Sequence, residues 1–362
     1  RLAEAVPRLA GLLAEPGHVT GAAAALGAIA TPAAFSALRD AALSPGRPVR
    51  APVFDALLSI DPRRAADVFL DMMGRGGSLG ERKEAQIYLV KAGRRAAAAE
   101  ICRALLDALP AAEPTLRLLY ADALSELGGV GELRSLKEMF EKGDLSTRAA
   151  LVKPIILISG DAEVARAAMA SQSEAVRMRA MQALAALGDV EPLARSLRLT
   201  ERLEKRPLGD VARLLGMYYG ASVLVERSAA AAETVSVEEG ASLLEVVERL
   251  ASAADLRVEK GCALLLSREG WARAKVSGLE RCRPLVSLVC KGKLLPLLRS
   301  AAAQAGLELR VDDEDLRKAL ATAAAPSGTL TEVPLAEALA LLLGPGRRAR
   351  REGRALIVER AK

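Results

Sequence analysis

The sequence predicts a multidomain chain in which an α-solenoid of helical repeats precedes two small α+β domains. Three observations support this fold class. Helical segments rich in Ala and Leu, separated by short breaks, fill residues 1–199. Strand-like segments begin only after about residue 199, and one β-α-β-β-α-β-β order occurs twice in the C-terminal part.

The predicted domains follow from these changes in pattern. We expect an α-solenoid over 1–199, a first α+β domain over 200–270, a linker over 271–283 and a second α+β domain over 284–362. A chain of 362 residues, 51% of them hydrophobic, is long enough for two or three compact units. Aromatic residues make up only 2%, so Ala and Leu must form most of the core, which favours closely packed helices.

The net charge of +6 is concentrated at the C-terminus. Residues 347–362 contain seven basic and two acidic residues, a balance of +5. The rest of the chain is therefore nearly neutral, which argues against a broad nucleic-acid-binding face. No apolar run approaches the ~20 residues that a membrane-spanning helix needs.

The helical half has a period close to thirty residues. The expected breaks between helices of a pair are Ala30, Asp61, Gly93, Gly128, Gly160 and Gly188. One helix pair cannot cover its own apolar stripe, so neighbouring pairs stack into a shared core. Glycine at a break allows a left-handed helix end, and Asp can cap the next helix.

The segment Ala180-Met181-Gln182-Ala183-Leu184-Ala185-Ala186-Leu187-Gly188-Asp189-Val190-Glu191-Pro192-Leu193 carries the clearest repeat pattern. This stretch resembles the HEAT repeat family, including the short HEAT-like form of phycobilisome lyases, and the resemblance covers about six repeats. It implies an extended protein-binding surface. Residues 6–16 match only the second helix of such a pair, so we expect the native protein to extend N-terminal to Arg1.

The first α+β copy contains strands at Val223–Val225 and Thr234–Val237. A helix with an apolar face follows from Leu243 to Leu250, and a hairpin turns at Gly261. An opening strand is not obvious, and residues 197–202 are the candidate for it.

The second copy contains strands at Pro284–Cys290 and Leu307–Val311, with a helix around Leu294–Ala301 between them. Residues 312–327 form a longer excursion. The strand resumes at Thr329, a helix runs from Pro334 to Leu343, and a hairpin closes around Gly353.

Several residues carry a second resemblance: Pro207, Leu208, Val211, Leu214, Gly220, the join Val333-Pro334-Leu335, and the hairpin from Arg351 to Val358. These features resemble the short N-terminal (STN) domains of secretins and TonB-dependent receptors. The resemblance implies a periplasmic or cell-envelope location. It also implies docking onto secretin-like or pilus-related proteins, or self-association through these domains. Exposed sheet edges would supply the contacts.

The predicted interaction residues lie in the C-terminal part. Trp271 falls in the linker, where it anchors an interdomain contact more often than it binds a ligand. Arg347, Arg348, Arg350, Arg351 and Arg354 form a basic hairpin. The hairpin has two interpretations: an anionic binding surface for phosphate or acidic lipid, or a solvated edge whose charge discourages aggregation, which we favour.

Other candidates for chemistry are weak, so we predict no catalytic, cofactor or metal site. His18 is the only histidine and shows no partner in the sequence. Residues 74–80 are rich in Gly but do not end in Gly-Lys-Ser/Thr. The acidic run 312–315 suits helix capping better than Ca²⁺ binding. One disulfide among Cys262, Cys282 and Cys290 stays open.

The leading hypothesis is a non-enzymatic scaffold of a bacterial envelope assembly. Two alternatives remain: a HEAT-like lyase that attaches bilin chromophores, and a periplasmic signal-input module that receives a peptide from a receptor. The HEAT resemblance allows the first alternative and the STN resemblance allows the second.

Overall fold

The computed structural model describes residues 2–44, 50–75, 77–200, 202–219, 221–226, 234–237, 239–268, 271, 273–277, 279 and 284–361. Contacts divide the chain into two compact units, Arg1–Pro154 and Ile155–Lys362. The first unit is helical and the second is mixed α/β, which confirms the coarse fold class. The division falls inside a helix rather than at residue 199.

The first unit is built from helices joined by short turns. They are α1 (Leu2–Leu12), α2 (Val19–Ile29), α3 (Pro32–Leu43), α4 (Ala51–Ile60), α5 (Pro62–Gly74), α6 (Leu79–Ala92), α7 (Ala98–Ala108), α8 (Pro114–Leu127), α9 (Val130–Lys142) and α10 (Leu145–Ser159). Helix α10 continues into the second unit.

Local sequence explains how these helices begin. The Asp61 carboxylate accepts hydrogen bonds from the backbone N–H groups of Arg63 and Arg64 at 3.0 and 3.1 Å, and so caps α5. Ser78 and Glu81 form a reciprocal capping box at the start of α6. Each such cap contributes about 1 kcal/mol, because it satisfies backbone donors that have no partner within the helix.

An aromatic cluster forms part of the core of the first unit. Phe54, Phe69 and Tyr88 pack with ring centroids 4.9 to 5.7 Å apart. Phe54 and Phe69 are fully buried. Burial removes the Tyr88 hydroxyl from water and raises its pKa.

Most expected helix breaks are confirmed. Ala30 has a left-handed backbone, with φ of 51°, and Gly160 and Gly188 also have positive φ values. The break expected at Gly93 is wrong. The helical backbone continues there as a π-helical segment, Gly93–Ala97, that runs into α7.

Ion pairs join helices of the first unit at the spacing of the expected repeat. Arg50 pairs with Glu81 at 2.6 Å, and Arg82 pairs with Glu113. Lys153, which is 2% exposed, lies 3.4 Å from Asp122. Each of these pairs joins residues 31 positions apart. The period therefore appears in contacts as well as in the sequence.

The second unit contains the remaining helices and the strands. The helices are α11 (Ala162–Met169), α12 (Glu174–Ala186), α13 (Glu191–Ser196), α14 (Leu208–Tyr219), α15 (Leu243–Ala253), α16 (Leu294–Gln304), α17 (Glu314–Thr322) and α18 (Leu335–Leu343). The strands are β1 (Leu203–Pro207), β2 (Val223–Val225), β3 (Thr234–Val237), β4 (Arg257–Lys260), β5 (Leu264–Ser267), β6 (Lys275–Ser277), β7 (Leu285–Cys290), β8 (Glu308–Arg310), β9 (Ser327–Pro334), β10 (Arg347–Glu352) and β11 (Ala355–Arg360).

The expected duplication appears in the strand order. In the first copy, β1 pairs with β3, and β4, β5 and β2 form a second sheet. In the second copy, β7 pairs with β9, and β10, β11 and β8 form the second sheet. Both three-stranded sheets have one antiparallel and one parallel pairing in the same positions. The two segments therefore share one topology.

The two copies are not separate in space, because one sheet contains strands of both. β2 pairs antiparallel with β9, which makes the five-stranded order β4-β5-β2-β9-β7. Val223 and Val225 face the core of the first copy, whereas Leu224 packs in the core of the second. The shared sheet therefore has apolar side chains on both faces, with helices on either side.

Two expectations about the C-terminal part are corrected. The opening strand of the first copy is Leu203–Pro207, not residues 197–202, because only the later segment pairs with β3. Within the expected linker, residues 275–277 form β6, which pairs in parallel with β10. Gly220, Cys282 and the other residues from 280 to 283 lie outside the described residues.

Candidate functional site

The first unit contains an open groove of about 760 Å³ beside α7 and α9. Its size falls within the usual range for binding clefts. Its walls and ends are Ala99, Arg103, Leu106, Asp107, Leu109, Pro110, Arg117, Gly131, Glu132, Ser135, Glu138, Met139, Lys142, Gly143, Asp144 and Thr147.

The groove has an apolar floor. Leu109 is fully buried, and Leu106 and Met139 are half-buried. Leu106 belongs to α7 and Met139 belongs to α9, so each helix contributes one half-buried apolar side chain. Methionine has a flexible thioether chain that adapts to differently shaped apolar partners.

The walls of the groove carry charges of both signs. Arg103 and Asp107 lie one turn apart on α7, and Glu138 and Lys142 lie one turn apart on α9. All four side chains are exposed. Arg103 corresponds to Glu138 and Asp107 to Lys142, each 35 residues later in the sequence, and the two members of each pair have opposite charges. Each wall therefore presents one acid and one base beside the apolar floor.

Arg117 organises one end of the groove. Its Nη1 donates to the Asp144 carboxylate at 3.1 Å and to the Thr147 hydroxyl at 2.9 Å. Its Nη2 donates to the Ala112 carbonyl at 3.0 Å. Arg117 is only 9% exposed, so these bonds hold the beginnings of α8 and α10 together.

Asp144 also caps α10. Its carboxylate accepts hydrogen bonds from the Thr147 hydroxyl and from the Thr147 backbone N–H, the latter at 2.7 Å. These bonds, with the positive charge of Arg117, hold the pKa of Asp144 below its ordinary value. Asp144 therefore loses its charge at a lower pH than an ordinary aspartate.

The irregular part of the helical period produces the groove. The interval between expected breaks is longest from Gly93 to Gly128, at 35 residues. The structure places the π-helical segment Gly93–Ala97 before α7 and a 3₁₀ turn, Leu109–Ala111, after it. Such interruptions often accompany functional sites. The sequence analysis missed the groove, because the long interval marks an irregular region but does not report a cavity.

Trp271 lies between the two copies in the second unit. Its backbone N–H donates to Glu259 Oε1 in β4 at 2.5 Å, and its indole N–H donates to the Leu341 carbonyl in α18 at 3.2 Å. The Ala274 N–H donates to the Ala340 carbonyl at 2.8 Å. These two donors satisfy carbonyls at the C-terminus of α18 that have no partner within the helix. Trp271 thus contacts both copies.

The structure places the five predicted arginines on or beside one hairpin, and the fold uses most of them. Arg347 donates from Nη1 to the Leu343 carbonyl at 2.8 Å, at the C-terminus of α18. Arg351 donates from Nε to the Gly353 carbonyl at 2.9 Å within the turn. Arg354 is exposed at the same turn.

Arg348 and Arg350 lie on the outer face of the sheet formed by β10, β11 and β8, opposite the face that packs in the core. Their Nε atoms lie 2.9 and 3.0 Å from Glu359 Oε1. Burial raises the pKa of Glu359, but the hydrogen bonds from Arg350 and Arg348 outweigh it and keep that pKa below its ordinary value. Arg350 also pairs with Glu352. Internal pairing therefore reduces the charge available to an anionic ligand.

The outer face of this sheet differs from its counterpart in the first copy. In the first copy, Glu259, Leu265 and Leu224 form one row across β4, β5 and β2. The equivalent row in the second copy is Arg350, Ile357 and Arg310. A row with two leucines that pack in the core of the second copy is thus replaced by a row with one isoleucine between two arginines.

One edge of the five-stranded sheet is blocked by a side chain. At Ser287 in β7, the backbone N–H donates to Gln304 Oε1 and the carbonyl accepts from Gln304 Nε2, both at 2.9 Å. This amide takes the place of a neighbouring strand at that residue. Strand addition at this point would have to displace Gln304.

The other candidates for chemistry have ordinary surroundings. His18 is exposed, and its Nε2 lies 3.6 Å from Glu15. In the glycine-rich segment, Ser78 caps α6, and Gly76 lies outside the described residues. Asp313 caps α17 by accepting the Leu316 N–H at 2.9 Å, as expected for the acidic run. Among the described residues, no group of three or more acidic, histidine or cysteine side chains is placed to hold a metal.

Two of the three C-terminal cysteines are described. Cys290 is a buried free thiol, and burial raises its pKa to about 12. Cys262 Sγ lies 3.8 Å from the Ala186 carbonyl oxygen. Cys282 lies outside the described residues, so the expected disulfide stays a prediction.

No protein-family model matches the chain, and no curated protein matches it. Across the described residues, no helix is both long enough and apolar enough to span a membrane.

Proposed function

We propose that this chain is a non-enzymatic scaffold that binds other proteins through the groove beside α7 and α9. The observation that carries the proposal is the combination of a half-buried apolar floor with exposed charges of both signs on the walls. Apolar contacts supply affinity, and the charged rim selects the partner.

The partners we propose are proteins of a bacterial cell-envelope assembly, such as secretin-like or pilus-related components. Support comes from the duplicated strand order of the second unit and from the residues that resemble STN modules. On this proposal the second unit attaches the chain to the assembly and the groove holds another component. The outer face on which Arg350 and Arg310 flank the buried Ile357 is the surface we propose for attachment.

Site-specific photo-crosslinking tests whether the groove binds other proteins. A benzophenone amino acid replaces Ser135, which lines the groove, and in a matched control it replaces Lys137, which is exposed on the same helix outside the groove. We expect discrete protein adducts from position 135 in the bacterial envelope and few from position 137. Equal labelling at both positions, or none at position 135, would contradict the proposal.

A further inference from the structure

We propose that the occupant of the groove is an amphipathic α-helix of a partner protein, with an apolar stripe flanked by both acidic and basic side chains. This inference rests on the proposed function, because it specifies the kind of protein segment that the scaffold binds. It goes further by defining the secondary structure and the charge pattern of that segment.

The helical form of the occupant follows from the backbone of the groove walls. Both walls are helices, whose interior N–H and C=O groups are already paired within α7 and α9. An extended peptide needs a strand edge or other free polar groups for its own backbone. The apolar floor offers it none. A helix satisfies its own backbone and can cover Leu106 and Met139 with side chains alone.

The apolar stripe follows from the floor. Leu106 and Met139 stay half-exposed in the groove, and a ligand that covered them would bury that surface. A helix presents apolar residues to such a floor at spacings of three and four. A uniformly polar helix would gain nothing from this contact, whereas a helix apolar on all sides would leave the wall charges without partners.

The flanking charges follow from the walls. Arg103 and Lys142 offer positive groups on opposite walls, and Asp107 and Glu138 offer negative groups. Of these four, the structure pairs only Glu138, with Arg134 on its own helix. An incoming helix can therefore meet each wall with an acid for the base and a base for the acid. A helix of uniform charge would be repelled at two of the four positions.

Binding of defined peptides to the full chain tests this inference. The probe is a fluorescent, side-chain-stapled helix of about four turns, with a leucine stripe and glutamate and lysine on both flanks. Two comparison peptides have the same length and the same leucine stripe, one with a central proline that breaks the helix and one with all flanking charges positive. Fluorescence anisotropy should show binding of the probe at least about tenfold tighter than either comparison peptide.

Two charge-reversal variants test whether the probe binds in the groove. Lys142→Glu reverses a groove charge, and Lys137→Glu makes the same change on α9 outside the groove. We expect Lys142→Glu to weaken binding about two- to fivefold, the effect of one exposed ion pair, and Lys137→Glu to leave it unchanged. A probe with lysine in place of the glutamate that faces position 142 should recover the loss.

Other results would contradict a helical occupant without contradicting the proposed scaffold function. Equal affinity for the proline-containing peptide would indicate an extended occupant. Tight binding that is equally weakened by both lysine variants would place the helix elsewhere. A concentration-dependent dimer that competes with the probe would make a second copy of this chain the occupant. If position 135 still crosslinks to proteins under any of these outcomes, the proposed function stands and this inference fails.

Discussion

Gly328 in β9 and Val223 in β2 approach so closely that no side chain fits between them. A Cβ atom at position 328 would lie 2.0 Å from the Val223 carbonyl oxygen. Gly328 also has φ of 142°, a conformation that other residues rarely adopt. This contact lies where the strands of the two copies join, so one glycine controls whether the shared sheet can form.

Gly328→Ala should destabilise the second unit by about 3 kcal/mol, because it adds both a collision and backbone strain. Trp271 is the only tryptophan, so its fluorescence during urea denaturation follows this unit. Gly292→Ala is the matched control in the same unit, since its φ is also positive, at 87°, but nothing lies within 4 Å of its added Cβ. A Gly328→Ala protein as stable as wild type would show that the strands do not join in this way.

Trp271→Phe should cost about 1 kcal/mol, because it removes the hydrogen bond to the Leu341 carbonyl and keeps most of the ring packing. Trp271→Ala should cost more, because the packing against both copies is lost as well. Circular dichroism of chemical denaturation measures both variants without the fluorophore. Equal losses in the two variants would show that the ring packing adds nothing beyond the hydrogen bond.

Arg310→Leu should promote self-association, because it restores at the outer face the leucine found at Leu224 in the first copy. Arg310 is exposed, so the substitution would place a leucine at the surface beside the buried Ile357. Light scattering over a range of concentrations measures the molecular mass. Arg354→Leu removes the same charge at the exposed turn and should leave the mass unchanged.

Asp144→Asn should weaken the start of α10 at neutral pH and have little effect in strong acid. The folded-state pKa of Asp144 is lowered, so its stabilising effect is present above the unfolded-state pKa. That effect disappears as the pH falls from about 4 through the folded-state value. Hydrogen exchange at the Thr147 N–H reports the change locally. A difference between variant and wild type that persists in strong acid would contradict this account.

Cys290 should resist alkylation in the native protein, because burial raises its pKa to about 12 and keeps reagents away. We expect iodoacetamide to modify it only as fast as β7 opens. Mass spectrometry of labelled peptides, with and without denaturant, measures its protection. Rapid labelling in native buffer would indicate an exposed thiol.

Much of the secondary structure could be predicted from the sequence. The helix at Leu243–Ala253 has a strong apolar face and a Ser242 cap, and the strand Val223–Val225 consists of β-branched and apolar residues. These signals are local, since they depend on periodicity and on neighbouring residues. Gly93 misled the same reasoning, because its backbone is helical and the glycine is needed for close packing: a Cβ there would lie 2.7 Å from Leu127.

The shared sheet and the groove could not be predicted in the same way. Pairing of β2 with β9 joins residues more than 100 positions apart and leaves no periodic signal. The continuous apolar run Leu264–Leu266 was the available hint, because a strand buried on both faces does not alternate. The groove depends on the separation between α7 and α9, which sequence periodicity does not report.

The pairing of β2 with β9 also makes the two copies depend on each other for the burial of their apolar residues. Separate tandem modules can be shuffled, lost or transplanted one at a time. Here division of the chain near residue 270 would expose Leu224 and Leu265 to water in one fragment. It would leave the β9 edge unpaired in the other. Either fragment produced alone should aggregate, so we expect the two copies to fold only together.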